Sequence, residues 1–323
     1  MSSISTDGAA SAPFSVVGRE PVGRFAPSPT GPLHLGSLLA AVGSYLDARH
    51  HGGRWLVRME DLDTPRVVPG CADDMLRTLE TYGFEWDGEV LHQSTRREAY
   101  EAAIHRLSEA GRTFACSCSR RELAHPGGDD APGYPGTCRG GVPRPGPTSL
   151  RFRVNDSPIH FDDVFQGAQD FDLAACGDVV IRRRDGIVSY QLAVVVDDAY
   201  QQVTRVIRGA DLLASTAWQI DLQSALGSPH PIYGHLPLVV EAGGVKLSKS
   251  RRAVPVDRAQ VAQGLTTTLT LLSQTPPADL GRATIKDVWK WAFAHWRPQA
   301  LAGRSQVSCP PGATEQQNSL GKL

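Results

Sequence analysis

Two lysines three residues apart, Lys246 and Lys249, stand in the run KLSKS with a hydroxyl between them. Such a cationic loop can neutralise charge developing on a phosphorus under attack. A solvated basic surface loop is the commoner meaning of a Lys/Ser run. Nearer the start lies GRFAPSPTGPLHLGSLLAA, residues 23–41. It reads as a strand, a glycine-containing loop and a helix start. The N-terminus of a helix offers N–H groups and partial positive charge, which suit phosphate. His34 stands just ahead of that helix and can donate to a phosphate oxygen, and Gly36 lets a flat base approach the backbone. Any strand–loop–helix can hold a Pro/Gly turn, and a lone histidine is commonly structural. On physical grounds alone the structural reading of this stretch is the stronger.

Six cysteines sit at 71, 116, 118, 138, 176 and 309. Three fall within 116–138, and a cluster in a chain without an export signal suggests metal before disulfides. Cys116, Cys118 and Cys138 can supply thiolates to zinc. His125 is the conventional fourth ligand. Tyr134 is the unusual one, since it must lose a proton of pKa about 10. Three reduced cysteines without metal are the plain alternative. Cys71, Cys176 and Cys309 read as core or tail thiols.

The elements that must position these residues alternate strand and helix. Strands are expected at Val22–Ala26 and Trp55–Met59, and helices at Gly36–Arg49, Asp73–Tyr82 and Arg96–Ala110. That alternation favours a parallel α/β sheet. Residues 125–148 are rich in Pro and Gly, as in an inserted loop. Val179–Arg183 and Val188–Val196 flank Asp185-Gly186 and are expected to form a hairpin. A further strand is expected at Val203–Ile207 and a helix over Leu212–Leu226. Ile285, Val288, Trp289, Ala292 and Trp296 share a helical face, a packing stripe. The polar residues 302–323 and the first twenty residues are expected to be disordered.

The chain has 323 residues, 41% hydrophobic and 21% charged, ordinary for a globular protein. No apolar run approaches a bilayer span, so no membrane partner is expected. Without a secretory pattern, a cytoplasmic location is expected. The formal net charge is −1, so a nucleic-acid partner needs local basic patches.

The stretch 23–41 resembles the HIGH motif of class I aminoacyl-tRNA synthetases, in the RFAPSPTG form of the glutamyl group. Here His-Leu-Gly-Ser stands for His-Ile-Gly-His, a change that the family tolerates. KLSKS resembles that class's KMSKS motif and follows it in the expected order. The resemblance covers about residues 22–255. It implies a Rossmann-type α/β catalytic domain over 21–255, with a zinc-binding insertion at about 111–150 and a short helical part over 256–301. It implies ATP binding at His34, Gly36 and Lys249, with His34, Lys246 and Lys249 catalytic and Mg²⁺ accompanying ATP. It implies a glutamate pocket of Arg24, Ala26, Ser28, Glu60, Tyr190 and Arg208. Val194 stands where ordinary glutamyl enzymes often carry Asn, which implies fewer polar contacts to substrate. The short members carry a Cys-x-Cys, Tyr, Cys arrangement, which selects Tyr134 as the fourth ligand of one structural Zn²⁺.

The chain resembles above all the glutamyl-queuosine tRNA(Asp) synthetases, in HLGSLLAA and in stopping short of a large anticodon-binding domain. That resemblance implies activation of L-glutamate with ATP, transfer to queuosine of tRNA(Asp), and a monomer. The rival readings are an ordinary synthetase charging a tRNA 3′ end and an inactive RNA-binding paralogue. Arg139, Arg182–Arg184 and Arg251–Arg252 are the expected phosphate contacts of the RNA.

Overall fold

The structure is a computed structural model, and it describes residues 16, 18–123, 133–141, 145–240 and 255–308. The first half alternates as the sequence predicts. Strand β1 (Val22–Phe25) leads into helix α1 (Leu35–His50), then β2 (Arg54–Met59), α2 (Cys71–Thr81), the short β3 (Leu91–His92) and α3 (Arg97–Glu109). β4 (Thr113–Cys116), α4 (Arg120–Leu123), β5 (Ser149–Phe152), β6 (Ile159–Asp163) and β7 (Gly167–Phe171) follow, then the short α5 (Leu173–Cys176) and β8 (Val179–Arg182). The chain then returns through α6 (Tyr190–Tyr200), β9 (Arg205–Gly209), α7 (Leu213–Leu226), β10 (Ile232–Leu236) and β11 (Leu238–Val240). It closes with α8 (Val261–Leu271), α9 (Ile285–His295) and β12 (Gln306–Ser308).

β1, β2 and β3 form one parallel ladder, and β9 and β10 another. Thr204 N, one residue before β9, donates to Val22 O at 3.0 Å, and Val22 N donates to Thr204 Oγ1 at 2.8 Å. The order is therefore β3-β2-β1-β9-β10, that of a doubly wound Rossmann sheet. The strands progress one way from β1 and the other way from β9. Beyond Val22 no ladder joins β1 to β9 among the described residues. A crevice therefore lies at their carboxyl ends, the place where open α/β sheets bind ligands.

Apolar residues of α1 (Leu38, Leu39, Val42, Leu46) bury against Trp55 and Val57 of β2. Leu265 and Leu269 of α8 and Val288 and Trp289 of α9 join this same core. The helical part over 256–301 thus shares its core with the sheet. Trp289 packs edge-on against Tyr45 and Phe84, and its indole donates to Tyr82 O at 2.9 Å, so the aromatic stripe is packing. β4, β5 and β8 make a separate antiparallel sheet.

Three expectations are corrected. The second arm of the expected hairpin, Val188–Val196, is mostly helix. Gly186 makes its turn at φ +84°, and a single bridge joins Arg182 and Val188 before α6 begins. Leu192, Ala193, Val194 and Val195 are all buried, a contiguous set rather than the alternation of a half-exposed strand. Packing of α6 against α3, α7 and β8 overrides the strand preference of the Val run. The tail expected to be disordered from 302 carries β12, which pairs in parallel with β11. The leader is ordered at its end, where Val16 is buried and Glu20 pairs with Arg54 at 3.3 Å. The remainder of both termini, 1–15, 17 and 309–323, lies outside the described residues.

Candidate active site

His34 is the N-cap of α1. Its Nδ1 accepts from Gly36 N at 3.1 Å and Ser37 N at 3.3 Å, while Ser37 Oγ accepts from His34 N at 2.8 Å. This reciprocal capping box gives Ser37 a role at the position of the absent second histidine. It also corrects the expectation of open N–H groups, since those of Gly36 and Ser37 are taken by the His34 ring. In return, an Nδ1 that accepts leaves Nε2 as the protonated donor of a neutral imidazole. A cleft of about 220 Å³ opens beside this cap, lined by His34, Gly36, Ser37, Gly209, Asp211 and Leu238 among others. Lys246 and Lys249 lie outside the described residues, between β11 at one wall of the cleft and residue 255.

At the carboxyl ends of β1 and β2 the site becomes ionic. Arg24 of β1 is buried, with Nε 3.2 Å from Asp198 Oδ1. Its Nη1 and Nη2 carry no protein partner among the described residues. Ala26 and the exposed Ser28 begin the loop after β1, and Pro27 O accepts from Glu60 N at 2.9 Å, tying the two strand ends together. Arg58 of β2, fully buried, lies 2.8 Å from Asp198 Oδ1 and 3.8 Å from Glu60 Oε1. Glu60 Oε1 is itself buried with no hydrogen-bond partner. Burial pushes the Glu60 carboxyl up to about 7, against the opposing pull of Arg58 and Arg24.

The opposite wall is built by β9 and the start of α6. Arg208 Nη1 donates to Tyr190 Oη at 3.0 Å, Nη2 to Thr216 Oγ1 at 2.8 Å and Leu212 O at 3.4 Å, and Nε to His235 Nε2 at 3.1 Å. One N–H, on Nη1, remains for a ligand, so a two-pronged grip by Arg208 is unavailable. Tyr190 Oη, accepting from Arg208, can turn its own O–H to the same ligand. Val194, one turn along α6, is buried in the core. The structure thus brings Arg24, Glu60, Tyr190 and Arg208 to one crevice, with the loop of Ala26 and Ser28 at its edge. Sequence reasoning missed Arg58, Asp198, His235 and Asp163. Their signal was charge inside apolar strands and helices, as in RWLVRM and AVVVDDAY.

The cysteine cluster forms apart from this crevice. The Sγ atoms of Cys116, Cys118 and Cys138 lie within 4.8 Å of one another and can hold a metal ion. Cys118 and Cys138 Sγ are 3.6 Å apart, and Tyr134 Oη is 3.5 Å from Cys116 Sγ. Tetrahedral zinc bonds of about 2.3 Å to sulfur and 2.0 Å to oxygen require about 3.8 and 3.5 Å between ligands, so the donor set fits. Cys138 N donates to Tyr134 Oη at 2.7 Å, and the Arg151 guanidinium lies 3.8 Å from the centre of its ring. Burial and the neighbouring cysteines nevertheless hold the Tyr134 hydroxyl well above its ordinary range, so a phenolate ligand there depends on the charge of a bound cation. Burial raises the Cys116 thiol, but hydrogen bonding to Tyr134 and Arg151 outweighs it and brings it to about 7. Gly133 and Gly177 allow the Tyr134 segment to lie on α5, since a Cβ at Gly133 would fall 1.5 Å from Cys176 O. His125 lies outside the described residues.

A family of class I tRNA synthetases, "tRNA synthetases class I (E and Q), catalytic domain", matches residues 22–273. A protein of Aromatoleum aromaticum named glutamyl-Q tRNA(Asp) synthetase is 53% identical over 90% of this chain and 93% of its own. A second of that name, from Geobacter sulfurreducens, is 54% identical over 87% and 93%. The chain belongs to this class I family, with the glutamyl-Q tRNA(Asp) synthetases. Among solved structures, a glutamate-tRNA synthetase of Elizabethkingia anophelis superposes with a TM-score of 0.75 at 24% identity, over 94% of this chain and 71% of that one, a likeness of fold.

Among the described residues, three of the arginines expected to meet RNA phosphates, Arg139, Arg182 and Arg183, are already paired with carboxylates. Arg139 makes a bidentate pair with Asp178 at 2.6 and 2.7 Å, Arg182 pairs with Glu101 at 3.0 Å, and Arg183 with Asp185 at 2.6 Å and Asp63 at 3.1 Å. Arg184 donates to Ser117 O. A phosphate must compete with these partners. Arg251 and Arg252 lie outside the described residues. No described helix is long and apolar enough to cross a membrane.

Proposed function

We propose that the chain activates L-glutamate with ATP and passes the glutamyl group to queuosine in the anticodon of tRNA(Asp). The observation that carries this reading is identity above 50% along about nine-tenths of the chain to proteins named for that reaction. The crevice supplies matching chemistry. Glu60, with its orphan Oε1, receives the substrate ammonium. The substrate side-chain carboxylate meets the unpaired Nη1 and Nη2 of Arg24, the remaining N–H of Arg208 and the Tyr190 hydroxyl. Ala26 and Ser28 close the loop around it. The α-carboxylate attacks the α-phosphorus of ATP in line and pyrophosphate leaves, so the protein contributes positioning and charge stabilisation. His34 Nε2–H faces the phosphates, Gly36 admits the base, and Lys246 and Lys249 offset the developing charge. Mg²⁺ enters with ATP. The cis-diol of queuosine then attacks the carbonyl carbon of the adenylate, releasing AMP.

Cys116, Cys118, Tyr134 and Cys138 hold one structural Zn²⁺ in this reading. A monomer suffices, because the crevice is assembled from one chain.

The test supplies labelled glutamate with tRNA(Asp) made with and without queuosine, followed by nuclease digestion. Label on the anticodon fragment of the queuosine-containing tRNA alone is expected. Label on the 3′-terminal adenosine, or equal charging of the unmodified transcript, restores the ordinary synthetase reading.

A further inference from the structure

Arg208 is oriented by side chains that no step of the proposed reaction uses. His235 of β10 is paired in register with Arg208 of β9, so the two side chains stand as neighbours on one face of the parallel sheet. His235 is fully buried. Its Nδ1 lies 2.5 Å from Asp163 Oδ2, and its Nε2 lies 3.1 Å from Arg208 Nε and 3.3 Å from Thr216 Oγ1. A guanidinium Nε can only donate. His235 Nε2 must therefore be the accepting, unprotonated nitrogen, and the ring proton sits on Nδ1, donated to Asp163.

Asp163 is fixed in turn. Its Oδ1 accepts from Phe165 N at 3.0 Å, Gln166 N at 2.9 Å and His235 N at 3.0 Å. These three N–H groups anchor one carboxylate oxygen and aim the other at His235. Burial holds the His235 ring below its ordinary range, which keeps it neutral. With Nε held by His235 and Nη2 by Thr216 and Leu212, the planar guanidinium has one orientation left. Its Nη1 edge points to Tyr190.

We infer that Asp163 and His235 are a positioning pair that fixes the tautomer facing Arg208 and thereby sets the preference for glutamate over glutamine. The inference rests on the reading that Arg208 faces the substrate's side-chain carboxylate. If Arg208 turns, its last N–H and the Tyr190 hydroxyl no longer converge on that carboxylate. The ATP cleft beside His34 is lined by other residues and is left as it was.

Asp163→Asn tests this at constant shape. The Asn oxygen must stay on the three anchoring N–H groups, so its NH₂ faces His235 Nδ1. The ring proton is driven to Nε2, and an N–H then opposes Arg208 Nε–H, the same tautomer logic by which Asp→Asn disables a catalytic histidine. His235→Asn still reaches Asp163 but not Arg208. His235→Gln places an amide oxygen near the Nε2 position, where it accepts from Arg208. In glutamate-dependent ATP–pyrophosphate exchange, Asp163→Asn and His235→Asn are expected to raise the glutamate KM about tenfold to a hundredfold. The ratio of glutamate to glutamine kcat/KM should fall similarly, with ATP KM unchanged, and His235→Gln should recover most of the ratio. Wild-type glutamate KM and selectivity in both Asn variants overturns the inference, as does a parallel rise in the KM values of glutamate and ATP. If Asp163→Asn does not fold, the Gln-against-Asn comparison at His235 decides alone, and equal selectivity of the two overturns it. Absence of glutamate-dependent exchange in the wild-type protein overturns the functional reading, and this inference with it.

Discussion

In the proposed pocket Glu60 receives the substrate ammonium, and this role predicts a pH dependence of glutamate binding whose size follows from the surroundings of its carboxyl. Its Oε1 is buried without a partner, and Arg58 stands 3.8 Å away, already 2.8 Å from Asp198. Burial, only partly offset by Arg58 and Arg24, raises its carboxyl from 4.5 to about 7. In the ligand-free protein the protonated form is therefore the comfortable one. Its stabilisation is fully present below about 4.5 and is lost as pH rises through about 7. Glutamate binding has the opposite sign, because the substrate ammonium needs the carboxylate. The fraction of protein ready to bind is about nine-tenths at pH 8, half at pH 7 and one-tenth at pH 6. The apparent glutamate KM should thus rise about tenfold from pH 8 to pH 6, roughly 1.4 kcal/mol. The substrate's own carboxylates stay ionised across that range. Glu60→Gln removes the titration. It should bind glutamate weakly at all pH values, with a flat KM between pH 6 and 8. ATP–pyrophosphate exchange at saturating ATP, with glutamate varied at each pH, makes the measurement. A wild-type glutamate KM that is flat from pH 8 to 6, or a Glu60→Gln variant that keeps the wild-type slope, refutes this account.

Three other outcomes are expected. Lys249→Ala should depress the exchange rate by orders of magnitude with a smaller change in ATP binding, because its charge acts on the transition state; a near-normal rate with weakened ATP affinity contradicts that role. Arg24→Lys keeps the charge but loses the Nη1/Nη2 fork, so discrimination against glutamine in the exchange assay should shrink by about tenfold or more, and unchanged discrimination moves the side-chain carboxylate elsewhere. Purified protein should carry one zinc, and Gly133→Ala, which sets a Cβ against Cys176 O, should lose it with a drop in melting temperature; a metal-free wild-type protein of full activity and stability removes the zinc site, and retention of zinc in Tyr134→Phe moves the fourth ligand from Tyr134.

The sequence by itself determined the first half of the sheet and its helices, because strand and helix periodicities there agree with local propensity and with the Gly/Pro loop between them. Motifs in fixed order also named Arg24, Glu60, Tyr190 and Arg208 as one set, and the structure gathers these four at the crevice where we propose that glutamate binds. Arg24, Glu60, Tyr190 and Arg208 were legible because each sits in a run whose neighbours are recognisable. The tertiary structure decided the rest. Val188–Val196 carries strand-like residues, yet burial on all sides makes most of it helix, and that helix is what delivers Asp198 to Arg24 and Arg58. Residues 306–308 look like a polar tail until β11 offers its edge. Most of all, the site's electrostatics lie in pairings between residues far apart in the chain. Arg24 meets Asp198, 174 positions away, and His235 meets Asp163, 72 positions away. No local pattern records such a distance, since a charge in an apolar strand says only that it must find a partner. The fold alone chooses which one.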